Sequence, residues 1–257
     1  MVWKKFPYPD QAYGYPGAAL EKNWQRLHRG DCEPLSDDPK VRDAWRSYHA
    51  GDFGKAVESG LACGMAGYNV ANKAATIYAN YLETDDERKR SLLLEVAGRC
   101  EEQQEKTPRN ANAWYLHAFA LGRYSQSISV VKALAQGLGG KIKYSLVQAL
   151  EIEPRHADAH VALGAYHAEV IDKVGALVGG LTYGAKKSTG NALFETAFKL
   201  NPDSAISRME YANALVMMFG KARMKEAERL YQEAAAFEPV DAMERLDVEA
   251  AKAELAD

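Results

Sequence analysis

The sequence predicts an all-α fold, a solenoid of stacked helix pairs, and three observations lead there. Prolines recur at the ends of helix-like stretches: ALEIEP at 149–154, AFKLNP at 197–202 and AAAFEP at 234–239. Pro108, Pro154 and Pro202 are each followed three residues later by alanine (Ala111, Ala157, Ala205), and then by apolar residues at helical spacing. The tail after the last proline, VDAMERLDVEAAKAELAD, has the pattern of one further helix. A helix running into a proline-stopped corner, followed by a polar residue that can satisfy the free amides of the next helix, is a repeating unit of two helices.

Taken in chain order, residues 1–39 form an irregular aromatic and proline-rich arm. Its FPYPDQAYGYPG stretch at 6–17 is expected to lie on the solenoid through Phe6, Tyr8, Tyr13 and Tyr15, since four exposed aromatics would be costly in a soluble chain, with an interaction tail as the alternative. The helical-repeat domain spans 40–257. Two degenerate pairs come first, at 40–67 and 70–107: Trp45 and Tyr48 share a helix side, GDFGKA makes a turn, and Ala74, Ile77, Tyr78 and Tyr81 give an apolar face. Clearer repeats follow at 108–153, 154–201 and 202–239. The helix expected at 241–255 covers the open end, because an uncapped array exposes its apolar seam.

Within the clearer repeats Ala118, Gly164 and Ala212 share one offset from the proline, where a small residue lets two antiparallel helices approach closely. Trp114, Leu116 and Leu121, then Leu163 and His167, then Tyr211 and Leu215 fill the rest of the seam. Asp203 or Ser204 is positioned to cap the helix of the third unit.

The strings PRNANAWYLHA, PRHADAHVALG, PDSAISRMEYA and EAERLYQEAAAFEP together resemble the tetratricopeptide repeat, a helix-turn-helix unit of 34 residues, and the resemblance implies stacking into a right-handed superhelix. Ala227, Tyr231, Ala234 and Pro239 fall where that pattern wants them. The spacing departs from it: Pro108 to Pro154 is 46 residues and Pro154 to Pro202 is 48, against 37 for the last unit. The surplus lies in two inserts between paired helices, YSQSISVVKALAQGLGGKIK and DKVGALVGGLTYGAKKSTG. In this the chain is similar to the regulator of microtubule dynamics family over about residues 108–239, and more loosely to the T-component of periplasmic substrate-binding transport systems. The first resemblance implies a helical scaffold with no enzymatic residue set. The second implies a secreted lipoprotein near a small-molecule transporter.

Composition narrows the function. A net charge of -3 without a basic block argues against nucleic acid. Cys32, Cys63 and Cys100 are odd in number and lack a CxxC pair, as expected of free thiols in a reducing compartment. No apolar run is long enough to span a bilayer and the first residues have no signal-like apolar core. A cytoplasmic location is expected, or a secreted or periplasmic one if a signal precedes this sequence.

EIEPRHADAHVALG at 151–164 gathers acids and histidines in the manner of a catalytic or metal site. His160 and His167 stand about 10 Å apart along a helix, too far for one ion, and both occupy packing offsets. GGLTYGAKKS at 179–188 misses the phosphate-loop pattern by an extra alanine and has no preceding strand. No catalytic, metal or cofactor residues are therefore assigned, and no enzyme is expected. The apolar residues Val174, Leu177, Val178, Leu181 and Tyr183 are expected to be covered, by the neighbouring insert or else by a ligand or partner.

What remains is the concave face, lined in such superhelices by the first helix of each pair. Its inward offsets are Asn112, Tyr115, Phe119 and Arg123, then Asp158, Val161, Ala165 and Glu169, then Ile206, Met209, Asn213 and Met217. Apolar floor and polar points together suit a protein or peptide partner. A small apolar ligand enclosed by the groove and the inserts is the alternative, and an enclosed cavity bordered by Tyr115, Phe119 and Tyr183 is its signature.

Overall fold

The computed structural model describes residues 3–256, among which no β-strand occurs. Fourteen α-helices are found among them. After α1 (Ala19–Leu27) come the pairs α2 (Pro39–His49) with α3 (Phe53–Ala62), and α4 (Tyr68–Tyr81) with α5 (Asp86–Lys106). The next pair is α6 (Ala111–Gln126) with α8 (Leu138–Ile152), interrupted by the short α7 (Val130–Ala135). Then α9 (Ala157–Val174) pairs with α11 (Lys187–Leu200), with α10 (Ala176–Tyr183) between them. Last come α12 (Ala205–Phe219) with α13 (Met224–Ala235), and the single α14 (Ala242–Glu254). Each pair packs on the next, and the buried apolar residues form three clusters along the stack.

The corners obey one grammar. Two residues after each proline a side chain accepts the backbone N–H three residues further on: Asn110 from Ala113, His156 from Ala159, Ser204 from Ser207, Asp241 from Glu244. These satisfy amides that a helix start leaves free. Six residues after the proline, in three repeats, a side chain folds back to donate to the proline's carbonyl: Trp114 to Pro108 at 2.9 Å, His160 to Pro154 at 2.9 Å and Arg208 to Pro202 at 2.8 Å. Three chemically different donors perform one task, so the position is recognisable by geometry more than by residue type.

The seam is tight where the small residues predict it. Ala118 and Ala212 are buried. At Gly164 an added Cβ would stand 2.7 Å from Cε2 of the fully buried Phe194, whose ring stacks on Tyr211 with centroids 4.7 Å apart.

The two ends of the chain meet. The arm is less irregular than its composition suggests: α1 is a nine-residue amphipathic helix burying Leu20, Trp24 and Leu27. Its apolar face docks on the first pair through Trp24, whose ring meets Trp45 edge to face at 5.9 Å. Of the arm's aromatics, Phe6 and Tyr13 are buried, the Tyr15 hydroxyl donates to the Val240 carbonyl at 2.7 Å, and Arg245 lies over the Tyr8 ring. Covering the last pair is only half of what α14 does, for it also reaches the first pairs. Arg26 of α1 grips Glu244 with two hydrogen bonds, of 2.6 and 3.1 Å. His49 of α2 meets Asp241 at 2.7 Å, and Tyr81 of α4 donates to Asp247. No helix among the described residues is long and apolar enough to cross a membrane.

Candidate functional site

Two segments of the protein's own chain plug part of the concave face, residues 31–33 over Asn112 and α14 over Met209, and a cavity of about 130 Å³, partly open to solvent, is left beside them. Helices α4, α6, α8, α9, α12 and α14 contribute its walls.

Eight of the twelve inward residues named above come together there: Tyr115, Phe119 and Arg123 from α6, Asp158, Val161, Ala165 and Glu169 from α9, and Ile206 from α12. The other four do not line the cavity, each for a local reason. Asn112 lies beneath the N-terminal plug, where its amide donates to the Asp31 carbonyl at 3.0 Å and to Glu33 at 2.7 Å, while its oxygen accepts from His156. Met209 is covered by α14 and packs with Val248 and Ala251. Asn213 accepts the Tyr231 hydroxyl at 2.6 Å, and Met217 is exposed beyond the rim. The third repeat thus contributes little because the final helix occupies its inner face.

Several lining residues carry no repeat signature. Ile77 and Tyr81 belong to the apolar face of a degenerate repeat, Lys73 precedes them by one turn, and Glu210, Met243 and Asp247 come from α12 and α14. The acidic pattern of α14 offered no sign that Asp247 would face inward.

The polar groups are mostly matched internally. Arg123 donates to Glu210 at 2.6 Å and lies over the Phe119 ring. Lys73 pairs with Asp31, whose other oxygen meets His28 Nδ1 at 3.0 Å. Burial works against the Asp31 charge, but Lys73 and His28 hold its carboxyl well below the usual range. Asp158 is pushed up to about 6, by burial first, with Lys73 opposing. Asp247 is also pushed well above the usual range by burial, against the hydroxyl donated by Tyr81. Glu33, under the plug, is pushed up to about 8 by burial and by Asp31. The cavity is therefore apolar over most of its wall, with aromatic faces from Tyr81, Tyr115, Phe119 and Tyr166.

The histidines of the catalytic-looking stretch have architectural partners. Because His156 Nδ1 accepts from Ala159, its Nε2 carries the proton that goes to Asn112. His167 Nδ1 accepts from the Lys186 backbone at 3.1 Å. Folding also brings together a serine, a histidine and an acid far apart in sequence: Ser145 Oγ is 2.8 Å from His117 Nδ1, and Glu101 is 3.4 Å from Nε2. Ser145 and His117 are buried in the seam between α6 and α8 and line neither of the two cavities. Among the described residues no group of three or more His, Cys, Asp or Glu is arranged to hold a metal.

A second cavity, of about 90 Å³, lies under the inserts and shares Ile142, Tyr166 and Glu169 with the first. Tyr183 borders this one and not the first. Val174 and Tyr183 turn inward, but Leu177, Val178 and Leu181 are exposed, contrary to the expectation that the neighbouring insert covers them. With α10 only eight residues long and packed on α9, its outer side has no neighbour to meet.

The architecture is that of a tetratricopeptide-type helical-repeat solenoid. It is similar to the crystal structure of a thermophilic TPR protein of Thermus thermophilus, with a TM-score of 0.57 over 83% of this chain and 97% of that one, at 17% identity. That likeness is one of fold. No family model matches the sequence, and no curated protein matches it.

Proposed function

We propose that this protein is a non-enzymatic interaction scaffold that seats a short stretch of a protein or peptide in its central concave cavity. The observation that carries this reading is the convergence of eight inward residues from three successive repeats on one cavity partly open to solvent. An extended peptide running the length of the face would collide with α14 and the arm. A segment inserting one or two bulky apolar side chains between Phe119, Val161 and Ile206 would not, and buried anchors of that kind carry most of the affinity of such contacts. The internal pairing of Arg123, Lys73 and the histidines supports binding over catalysis. This reading also sets the chain beside the divergent repeat proteins whose long inter-helix insertions it shares, those similar to the regulator of microtubule dynamics family.

A small apolar ligand is the second reading, favoured by the largely apolar wall bordered by Tyr115 and Phe119 and by the plugs that shorten the groove. One pair of substitutions addresses both. Phe119→Ser with Ile206→Ser is expected to abolish retention of partners from native extract while leaving the helical circular dichroism signal intact. Loss of a copurifying small molecule in native mass spectrometry, with protein partners unchanged, would favour the ligand reading. Equal retention of proteins and small molecules by both forms would refute the cavity as the binding site.

A further inference from the structure

We propose that the two inserts form a docking surface for an anionic phospholipid membrane, holding the solenoid at a bilayer without spanning it. Among the described residues, the three most exposed large apolar side chains are Val131 at 78%, Leu177 at 77% and Leu181 at 81%, and all three belong to the inserts. The two inserts meet at one point and share one cavity. Lys143, the last residue of the first insert, donates to the carbonyl of Tyr183 at the end of α10 at 2.8 Å, and Tyr183 also borders the second cavity together with Val130 and Leu134 of α7.

Charge decides the occupant. Residues 127–150 and 173–194 contain six lysines and no aspartate or glutamate, in a chain whose net charge is -3. Taking those six from the chain's 32 basic residues leaves 26 against 35 acidic ones, a balance of -9 elsewhere. Lys132, Lys141, Lys173 and Lys186 are exposed around the apolar residues; the acids that flank these stretches are the exposed Glu151, Asp172 and Glu195, and Glu169, which is held by Gln126 and Lys173. A protein partner with an apolar spot would not require this local reversal of sign. An anionic bilayer does, since lysines meet the headgroups while aliphatic side chains enter the boundary of the acyl region. The helix α10, ALVGGLTY, carries no charge at all and is short enough to lie flat in that boundary.

The test is co-sedimentation of the full chain with phosphatidylcholine vesicles, with and without about 30% phosphatidylglycerol. Binding is expected only to the anionic vesicles, and to fall steeply as salt rises. The variant V131S/L177S/L181S should lower the partition coefficient by about tenfold or more, and K132E/K141E should do the same. Because these side chains are exposed, thermal melting of both variants should match that of the parent, which keeps a loss of binding distinct from a loss of fold. Absence of binding to anionic vesicles, equal binding to both vesicle types, or retention by both variants would each overturn the proposal. A dimer in sedimentation velocity that V131S/L177S/L181S dissolves would likewise overturn it, showing a second copy of this chain on the patch.

Discussion

Gly164 is where the repeat geometry can be measured as free energy. Replacing a glycine inside a helix with alanine ordinarily stabilises by about 0.5–1 kcal/mol, because the unfolded chain loses freedom. At this position the new Cβ would lie 2.7 Å from Cε2 and 2.9 Å from Cδ2 of Phe194, atoms of a ring with no exposed surface that is held between α9 and Tyr211. Overpacking of that kind costs about 1–3 kcal/mol, so Gly164→Ala should destabilise by roughly 0.5–2 kcal/mol net, and Gly164→Leu by more. Gly98 in α5 supplies the contrast, being exposed with nothing near its missing Cβ, and Gly98→Ala should stabilise by about 0.5–1 kcal/mol. Urea denaturation of the four forms, with Phe194→Leu added, completes a double-mutant cycle. In the Phe194→Leu background Gly164→Ala should turn neutral or favourable, a coupling of about 1–2 kcal/mol. If Gly164→Ala behaves like Gly98→Ala and shows no coupling to residue 194, the close-approach account of this seam is wrong.

Three further outcomes follow from buried pairs. Arg26→Ala should destabilise by about 1–3 kcal/mol, because Glu244 loses both hydrogen bonds of a largely buried carboxylate; chemical denaturation within error of the parent would show the clasp to be idle. Burial lowers His156 to about 4, from about 6.5 in the unfolded chain, so the unfolded state takes up the proton first. Its contribution is complete above about 6.5 and is lost as pH falls towards about 4, by up to about 3 kcal/mol; His156→Asn, which can keep the helix cap, should flatten the fall in stability over that window, and identical pH slopes would refute this. Cys100, buried and with its thiol pushed up by that burial, should resist alkylation in the native protein while the half-buried Cys63 reacts, as peptide mass spectrometry would read.

How much could be read in advance divides along sequence distance. The prolines, the alanines three residues on and the small seam residues are local patterns, and they locate the helices of the last three repeats and the seam at Gly164. Capping of the third unit was legible to within one residue, Asp203 or Ser204, and it is Ser204 that caps. The site was half legible: repeat offsets bring Tyr115, Phe119, Val161 and Ile206 to one cavity, because those offsets repeat with the helix. Misjudged residues are those whose surroundings come from far along the chain. Nothing near Asn112 says that Asp31 and Glu33 will cover it, and nothing near Met209 says that Val248 will. Lys73 and Asp247 escaped notice for the same reason. The helix α1 was hidden differently: its start has no side-chain cap and its neighbours are rich in proline and glycine, so its amphipathic face was the one available signal.

The clasp joining Arg26 to Glu244 and His49 to Asp241 links residues 218 and 192 positions apart. An open repeat array behaves almost as a one-dimensional chain: units can be added or deleted, folding can begin anywhere, and each unit's stability depends on its neighbours alone. Joining the ends removes that freedom. An extra helix pair would push α14 out of reach of α1 and α2, and a deleted one would drive them together, so the number of repeats is fixed by closure. Fraying from either terminus must break contacts belonging to the other, which couples the first repeat to the last in a single unfolding event. The last contacts to form span nearly the whole chain, so closure should be a slow, late step of folding.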